Sequence, residues 1–361
     1  MSRDQIQKFH MPAEWEEHKA TWIAWPHQEE DWPGKFEPID AVYAEIVKAL
    51  VVYGGEFVKI IVRPDDTSRE ERIEKLLSSY GITSGYEIYL MDTDRSWLRD
   101  SMPIFVNPVL DGLPDTNNSG LGHRHLLDFN FNGWAKYDNY LLDQKLPKFV
   151  SEITDLPLTV AKNLRGGNFI LEGGGIEVDG EGNLLVTKEC FLSDVQVRNP
   201  EMNKDEYEKL FAQYLGANNV IWIEGSCEGD DTHGHIDDAA RFFAPGKVLL
   251  SFEEDSRDKI NFDISQKNFE ILKNHPAIKE VVKLPCPKPL FFDEQRLPAS
   301  YANFYIANSA VLVPVFNDVN DRIALNIISE CFPDRDIIPI FSSDLVLGLG
   351  TIHCLTQQEI A

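Results

Sequence analysis

Arg241–Phe252, RFFAPGKVLLSF, aligns without gaps on Phe304–Val315, FYIANSAVLVPV. In each, a strand-like run, a tight turn and a second strand-like run are followed by an acidic turn and a helix-like stretch. Asn168–Val186, NFILEGGGIEVDGEGNLLV, has the same opening. A unit recurring at this spacing predicts a closed ring of α/β modules, with an open doubly wound sheet as the plainer alternative.

Around these units the chain alternates between the two periodicities. Helices are predicted over Ile39–Val52, Ser68–Tyr80, Asp138–Ile153, Lys204–Leu215, Ser265–Asn274 and Asn320–Cys331. Strands are predicted over Phe57–Val62, Gly182–Thr187, Asn219–Ile223, Lys247–Phe252 and Ala310–Phe316. Asn107–His125, crowded with Asp, Asn, Gly and Pro, reads as a long loop of the kind that serves as a lid.

The 361 residues carry 34 Lys and Arg against 59 Asp and Glu, a formal charge of −25. That surface repels phosphate backbones and anionic headgroups and attracts cations, so neither nucleic acid nor a membrane is expected as a partner. No stretch reaches the ~18–20 apolar residues of a bilayer span, and MSRDQIQKFH lacks a secretory apolar run. The five cysteines, Cys190, Cys227, Cys286, Cys331 and Cys354, are odd in number, widely spaced and free of CxxC pairs. A cytoplasmic protein without disulfides is the expectation.

Three segments concentrate reactive side chains. In GLGTIHCLTQQ (Gly348–Gln358), Cys354 stands between glycines, which admit close approach, and a polar run. Flanked by Ile and Leu, such a thiol also fits a small buried hydrophobe. In DDTHGHIDD (Asp230–Asp238), His235 and Asp237 are two apart, which on a strand puts both on one face. They can move a proton and hold a cation, or simply hydrogen-bond within an acidic turn. His233, His235 and Asp237 also have the spacing of a dinuclear metallohydrolase motif, but Asp238 stands where that motif continues with His, and only His275 and His353 follow. In DRSWLRDSMP (Asp94–Pro103), Asp100 can be a surface partner of Arg99; together with Trp97 it can instead form a cation site, because indole faces and carboxylates both attract guanidinium.

These segments belong to a series that resembles the agmatine deiminase family, within the guanidino-group-modifying enzymes that include peptidylarginine deiminases. The resemblance is carried by MPAEWEEHKATWIAWP (Met11–Pro26), DWPGK (Asp31–Lys35), SWLRDSMP (Ser96–Pro103) and FNFNGWAKY (Phe129–Tyr137). It continues through LEGGGIEVDGEGNLL (Leu171–Leu185), RNP (Arg198–Pro200), GDDTHGHIDDAARF (Gly229–Phe242), PASYANFYIANSAVLVPVFND (Pro298–Asp318) and IHCLTQQ (Ile352–Gln358). It implies one domain over residues 1–361, an α/β five-bladed propeller (pentein) of five ββαβ-like modules with pseudo-fivefold symmetry.

The resemblance also implies hydrolysis of a small cationic guanidino substrate without metal or organic cofactor. Agmatine would give N-carbamoylputrescine and ammonia, a step toward putrescine, and a homodimer is the implied assembly. By resemblance, Cys354 attacks the guanidinium carbon to form a thiouronium, His235 moves the protons, and Asp100 and Asp237 clamp the nitrogens. Trp97, Asp231 and Glu172 are the expected pocket wall, with Asp231 as the acid for the substrate's far ammonium. Free arginine would need a base for its carboxylate, for which Arg99 and Arg165 are available, and a peptidyl substrate would need an open groove. Met102, Leu349 and Thr351 depart from the family pattern beside the site and are expected to narrow the pocket. A non-catalytic guanidinium binder and a metallohydrolase are the readings from other classes.

Overall fold

The computed structural model describes residues 8–64, 68–110, 113–114 and 124–361, with the side chains of Leu110, Leu113 and Pro114 set aside. The first repeated unit is a hairpin of Ala240–Ala244 and Lys247–Phe252, with Glu280–Pro285 added parallel after the helix Lys259–Lys273. The second is Tyr305–Ile306 and Ala310–Val315, with Asp336–Phe341 added parallel after Asp321–Cys331. The aligned runs Lys247–Phe252 and Ala310–Val315 are thus equivalent strands.

The same order, an antiparallel pair and then a parallel strand, occurs three more times. Glu177–Val178 pairs with Asn183–Thr187 and then Asn219–Ile223. Ile104–Leu110 pairs with His125–Asp128 and then Leu158–Val160. Gln357–Ile360 pairs antiparallel with His18–Ala24, which is followed in parallel by Val58–Val62 and Tyr86–Leu90. A sixth pair, Phe291–Phe292 with Gln295–Arg296, is a lone hairpin. Among the described residues every sheet is open, and none closes on itself. Helices follow strands because parallel neighbours need a crossover.

Local chemistry sets most boundaries. Asn203 and Glu206 form a reciprocal capping box that starts Lys204–Tyr214. The helix Ile39–Lys48 buries Ile39, Val42, Tyr43, Ala44, Ile46 and Val47 and then widens into a π turn at Ala49–Tyr53. Two predicted helices are corrected. Asp138–Ile153 is helical only from Asp143, as a 3₁₀ turn and then Leu146–Thr154, with Pro147 in its first turn, where the missing N–H costs nothing. Ser265–Asn274 begins earlier, at Lys259, because its inward face opens on polar residues: Asn261, Ser265 and Asn268 accept hydrogen bonds from the backbone N–H groups of Glu228, Glu253 and Glu224.

Of the expected loop Asn107–His125, residues 107–110 continue a strand and Leu113–Pro114 pairs back onto it. Residues 111–112 and 115–123, and with them the expectation of a lid, lie outside the described residues. No helix among the described residues is long and apolar enough to cross a membrane, and all five cysteines are free.

The last strand fixes the chemistry. Glu359 is fully buried and accepts from Trp22 Nε1 at 3.0 Å, Lys59 Nζ at 2.7 Å and Arg124 at 2.8 Å. This anchor holds the strand Gln357–Ile360 against His18–Ala24, directly after the four-residue helix Ile352–Leu355 that carries Cys354.

Candidate active site

Cys354 opens into a cavity of about 260 Å³ that is also lined by Trp97, Asp100, Trp134, Gly348 and Gly350. Behind it, Asp237 Oδ2 lies 3.6 Å from the Cys354 sulfur. Asp100, His235 and Asp237 meet around Gly174, whose missing side chain makes room for them. A Cβ there would stand 2.5 Å from His235 Nδ1, 2.9 Å from Asp100 Oδ1 and 3.1 Å from Asp237 Oδ2. Gly350 plays the same part on the cavity side, where a Cβ would meet Trp97 at 2.9 Å and the Cys354 Cβ at 3.1 Å. The residues expected to do chemistry are therefore brought together from three distant segments, around a glycine from a fourth.

Each carboxylate is held. Asp100 accepts from Trp134 Nε1 at 2.8 Å and from the Gly174 N–H at 2.9 Å. Burial raises its carboxyl above the usual range, although His235 pulls it down. Asp237 is fully buried; burial works against its charge, but His353, 2.7 Å away, holds its carboxyl below the usual range. Asp237 Oδ1 has no protein partner.

His235 is fully buried with neither ring nitrogen hydrogen-bonded; Nδ1 is 3.8 Å from Asp100 and Nε2 is 3.5 Å from Glu172. Burial disfavours its charge, yet Asp100, Glu172 and Asp237 together raise the imidazole to about 9. Burial and the carboxylates of Asp237, Asp238 and Asp100 push the Cys354 thiol well above its ordinary range. A bound cation would reverse that push, because it favours the thiolate as an opposite charge.

The expected wall divides. Trp97 lines the cavity and packs on Trp32, with ring centroids 5.5 Å apart. Asp231 lines its outer part, but both its oxygens are engaged, by Lys136 and by Tyr137 Oη at 2.7 Å. Glu172 is not on the cavity wall. It is buried behind His235 and paired with Arg198 at 3.2 Å; burial works against its charge, but Arg198 and then His235 draw its carboxyl down to about 2. The lining adds Glu30, Asp31 and a single base, Arg95, which pairs with Asp31 and stacks over Tyr137.

Neither arginine suggested for a substrate carboxylate borders the cavity. Arg99 is buried against the His353 carbonyl, Gln358 and Glu14, and Arg165 is half exposed and pairs with Glu206. Of the three departures from the family pattern, only Leu349 lines the cavity, with φ at +67°. Met102 packs in an apolar cluster with Trp22, Phe105 and Ile360, and Thr351 is buried and bonds to Asn303. Both therefore act away from the cavity wall.

The trio His233, His235 and Asp237 does not share a centre. His233, at φ +63°, bonds Ser193 and faces Glu189, whereas His235 faces Asp100 and Glu172. The donor set that gathers among the described residues is Glu172, Cys190 and His235, and there the Arg198 guanidinium already occupies Glu172.

Glu14, Gly174, Asn303 and His353 were not singled out from the sequence, though each lies in a quoted block. For His353 and Gly174 the signal is proximity, since His353 precedes Cys354 and Gly174 lies two residues after Glu172; Glu14 and Asn303 are far in sequence from every reactive segment and carry no local signal.

Comparison with known proteins gives one consistent answer. Residues 10–359 match the model of the family described as Porphyromonas-type peptidyl-arginine deiminase. The chain is 30% identical to the agmatine deiminase of Ectopseudomonas mendocina over 98% of its own length and 96% of the relative's. Among solved structures it superposes on the agmatine deiminase of Enterococcus faecalis with a TM-score of 0.83 and 28% identity, over 98% of this chain and 96% of the other. A cysteine-to-serine variant of the C. jejuni agmatine deiminase with substrate bound gives 0.84 and 28%, over 100% and 99%. The α/β fold is the one those structures share.

Proposed function

The chain belongs to the Porphyromonas-type peptidyl-arginine deiminase family, and on that premise we propose that it hydrolyses agmatine to N-carbamoylputrescine and ammonia, a reaction that can feed putrescine synthesis. One observation carries the substrate: Cys354 and Asp100 share a cavity whose lining holds four acids, Glu30, Asp31, Asp100 and Asp231, against one base, Arg95, already paired with Asp31. A dication ending in an ammonium suits that wall; a carboxylate at the same end would meet Asp231 and Glu30.

The chemistry follows from the geometry. Asp100 and the unpartnered Oδ1 of Asp237 take the guanidinium nitrogens, localising a charge whose delocalisation makes the carbon a poor electrophile. The cation in turn lowers the cost of the Cys354 thiolate, which adds to the guanidinium carbon. His235, protonated below about pH 9, gives its proton to the departing ammonia. The thiouronium that remains is attacked by water, from which His235 takes a proton. The adduct then collapses, the carbon–sulfur bond breaking to return the Cys354 thiolate while the remaining hydroxyl proton leaves to solvent, where the released ammonia takes it up. Each step uses only side chains of this chain and water.

The five sheets that repeat one strand order, one of which pairs the last strand Gln357–Ile360 with His18–Ala24 near the start of the chain, support an arrangement as five blades of one domain around a pseudo-fivefold axis. A cytoplasmic homodimer acting on a free small molecule, without nucleic acid or membrane, completes the reading.

The test is ammonia release from agmatine, free arginine and a peptidyl-arginine, with and without chelator. Release from agmatine alone, resistant to chelator and lost in Cys354→Ala, is expected. Release from arginine or the peptide instead would move the substrate. Chelator-sensitive release would overturn the cysteine mechanism.

A further inference from the structure

Asn303 is fully buried, does not line the cavity, and touches the nucleophile. Its Oδ1 accepts from the His353 N–H at 3.1 Å and from Thr351 Oγ1 at 2.7 Å, with the Cys354 N–H at 3.5 Å. Backbone N–H groups can only donate, so they fix the amide oxygen on the turn that precedes Cys354. The amide nitrogen must then face the other way. There it donates to Asp238 Oδ1 at 3.0 Å and points at the Cys354 sulfur from 3.2 Å. We propose that Asn303 is the positioning residue of the nucleophile: its amide nitrogen holds the sulfur and supports the thiolate, while Thr351 and Asp238 fix the amide's orientation.

The surroundings make such a donor necessary. The carboxylates of Asp237, 3.6 Å from the sulfur, and of Asp238 and Asp100 oppose a thiolate, whereas the hydrogen bond from the Asn303 amide favours it. The same geometry serves both forms of the sulfur. As a thiol it has acceptors at 3.6 Å in Asp237 Oδ2 and Asn303 Oδ1; as a thiolate it accepts from Nδ2. Thr351, a departure from the family pattern, thus has a task in this chain. It clamps the oxygen whose position aims the nitrogen.

The inference rests on Cys354 being the nucleophile, and the experiment separates the two ideas. Alkylation of Cys354 by iodoacetamide is followed by mass spectrometry in the full-length protein across pH, and agmatine kinetics are measured beside it. In Asn303→Leu the pH midpoint of alkylation is expected to rise by about one to two units, the size of a lost hydrogen bond to a charged group. kcat should fall at least ~50-fold while KM stays within about threefold, because Asn303 does not line the cavity. Asn303→Gln should recover part of both. If Asn303→Leu fails to fold, Thr351→Val, which only unties the oxygen, should give a smaller shift in the same direction. An unchanged midpoint with reduced kcat, or a raised KM at constant kcat, would overturn the proposal. Absence of ammonia from the wild type together with a shifted midpoint would leave Asn303's role intact and remove the proposed function instead.

Discussion

Asp237 and His353 face each other at 2.7 Å, and the second ring nitrogen of His353 lies 2.8 Å from Glu14. The imidazole thus bridges a carboxylate of the site and a buried cluster in which Glu14 also meets Arg99 at 3.3 Å and Arg241 at 2.9 Å. This bridge occupies Asp237 Oδ2 and leaves Oδ1 for the substrate. Breaking one member of a buried ionic cluster strands the others, at a cost of about 3–5 kcal/mol. His353→Leu is expected to lose that much in urea unfolding and nearly all activity, whereas His353→Gln, which keeps one hydrogen bond, should lose less of both.

The imidazole of His235 sits at about 9, above the ordinary 6.5. It therefore contributes stability that is full below pH 6.5 and is lost as pH rises through about 9. The same proton is needed for ammonia to leave, so kcat/KM should fall above about pH 9. Glu172→Gln removes one of the charges that raise it. The alkaline limb should then move down by about a unit or more. A limb that stays in place in that variant would show that another group sets it.

Asp143 is buried and accepts from the backbone N–H groups of Asp94 and Arg95; burial raises its carboxyl to about 8. It is neutral through most of the ordinary range, so its contribution to stability is full below about pH 4 and is lost progressively as pH rises to about 8. Asp143→Asn keeps the acceptor oxygen and cannot ionise. The variant's advantage over wild type should grow by up to about 1.4 kcal/mol per pH unit from near pH 4 to about pH 8 and stay constant above that. Urea titrations at pH 6 and pH 9 measure the difference.

Gly174 has the three reacting side chains within 3.1 Å of where its Cβ would be. Gly174→Ala must displace His235, Asp100 or Asp237, and displacements near 1 Å cost about 10²-fold in rate. kcat should fall by at least that factor. The temperature of unfolding should move much less, because no apolar core residue is displaced.

Leu349 holds a left-handed conformation at φ +67° on the cavity wall, which costs a side-chain-bearing residue roughly 1–2 kcal/mol. Leu349→Gly removes that strain but adds unfolded-state freedom of about 0.5–1 kcal/mol and gives up leucine packing. Stability should change by less than about 1 kcal/mol. The wider cavity should raise kcat/KM for bulkier guanidines relative to agmatine, measured as ammonia release.

Much of the α/β framework was legible because it is written in local periodicity. Asn219–Ile223 and Lys247–Phe252 have the bounds read from their patterns, and the repeat joining Lys247–Phe252 to Ala310–Val315 is a real equivalence of strands. The helix at Lys259–Lys273 was misread at its start because its buried face carries Asn261, Ser265 and Asn268, polar residues that satisfy loop backbone rather than fill an apolar stripe.

The sequence by itself determined which residue types could do the chemistry: Cys354, His235, Asp237 and Asp100 stand in segments whose order and spacing mark the family. The tertiary structure decided their surroundings. It put Glu172 behind His235 on Arg198 instead of on the wall, moved Met102 and Thr351 off the cavity, and joined His353 to Glu14 across 339 positions and Asn303 to Cys354 across 51. Strand and helix patterns repeat along the chain and can be read from neighbours. A hydrogen bond between distant side chains depends on how whole sheets meet, and no local period records that.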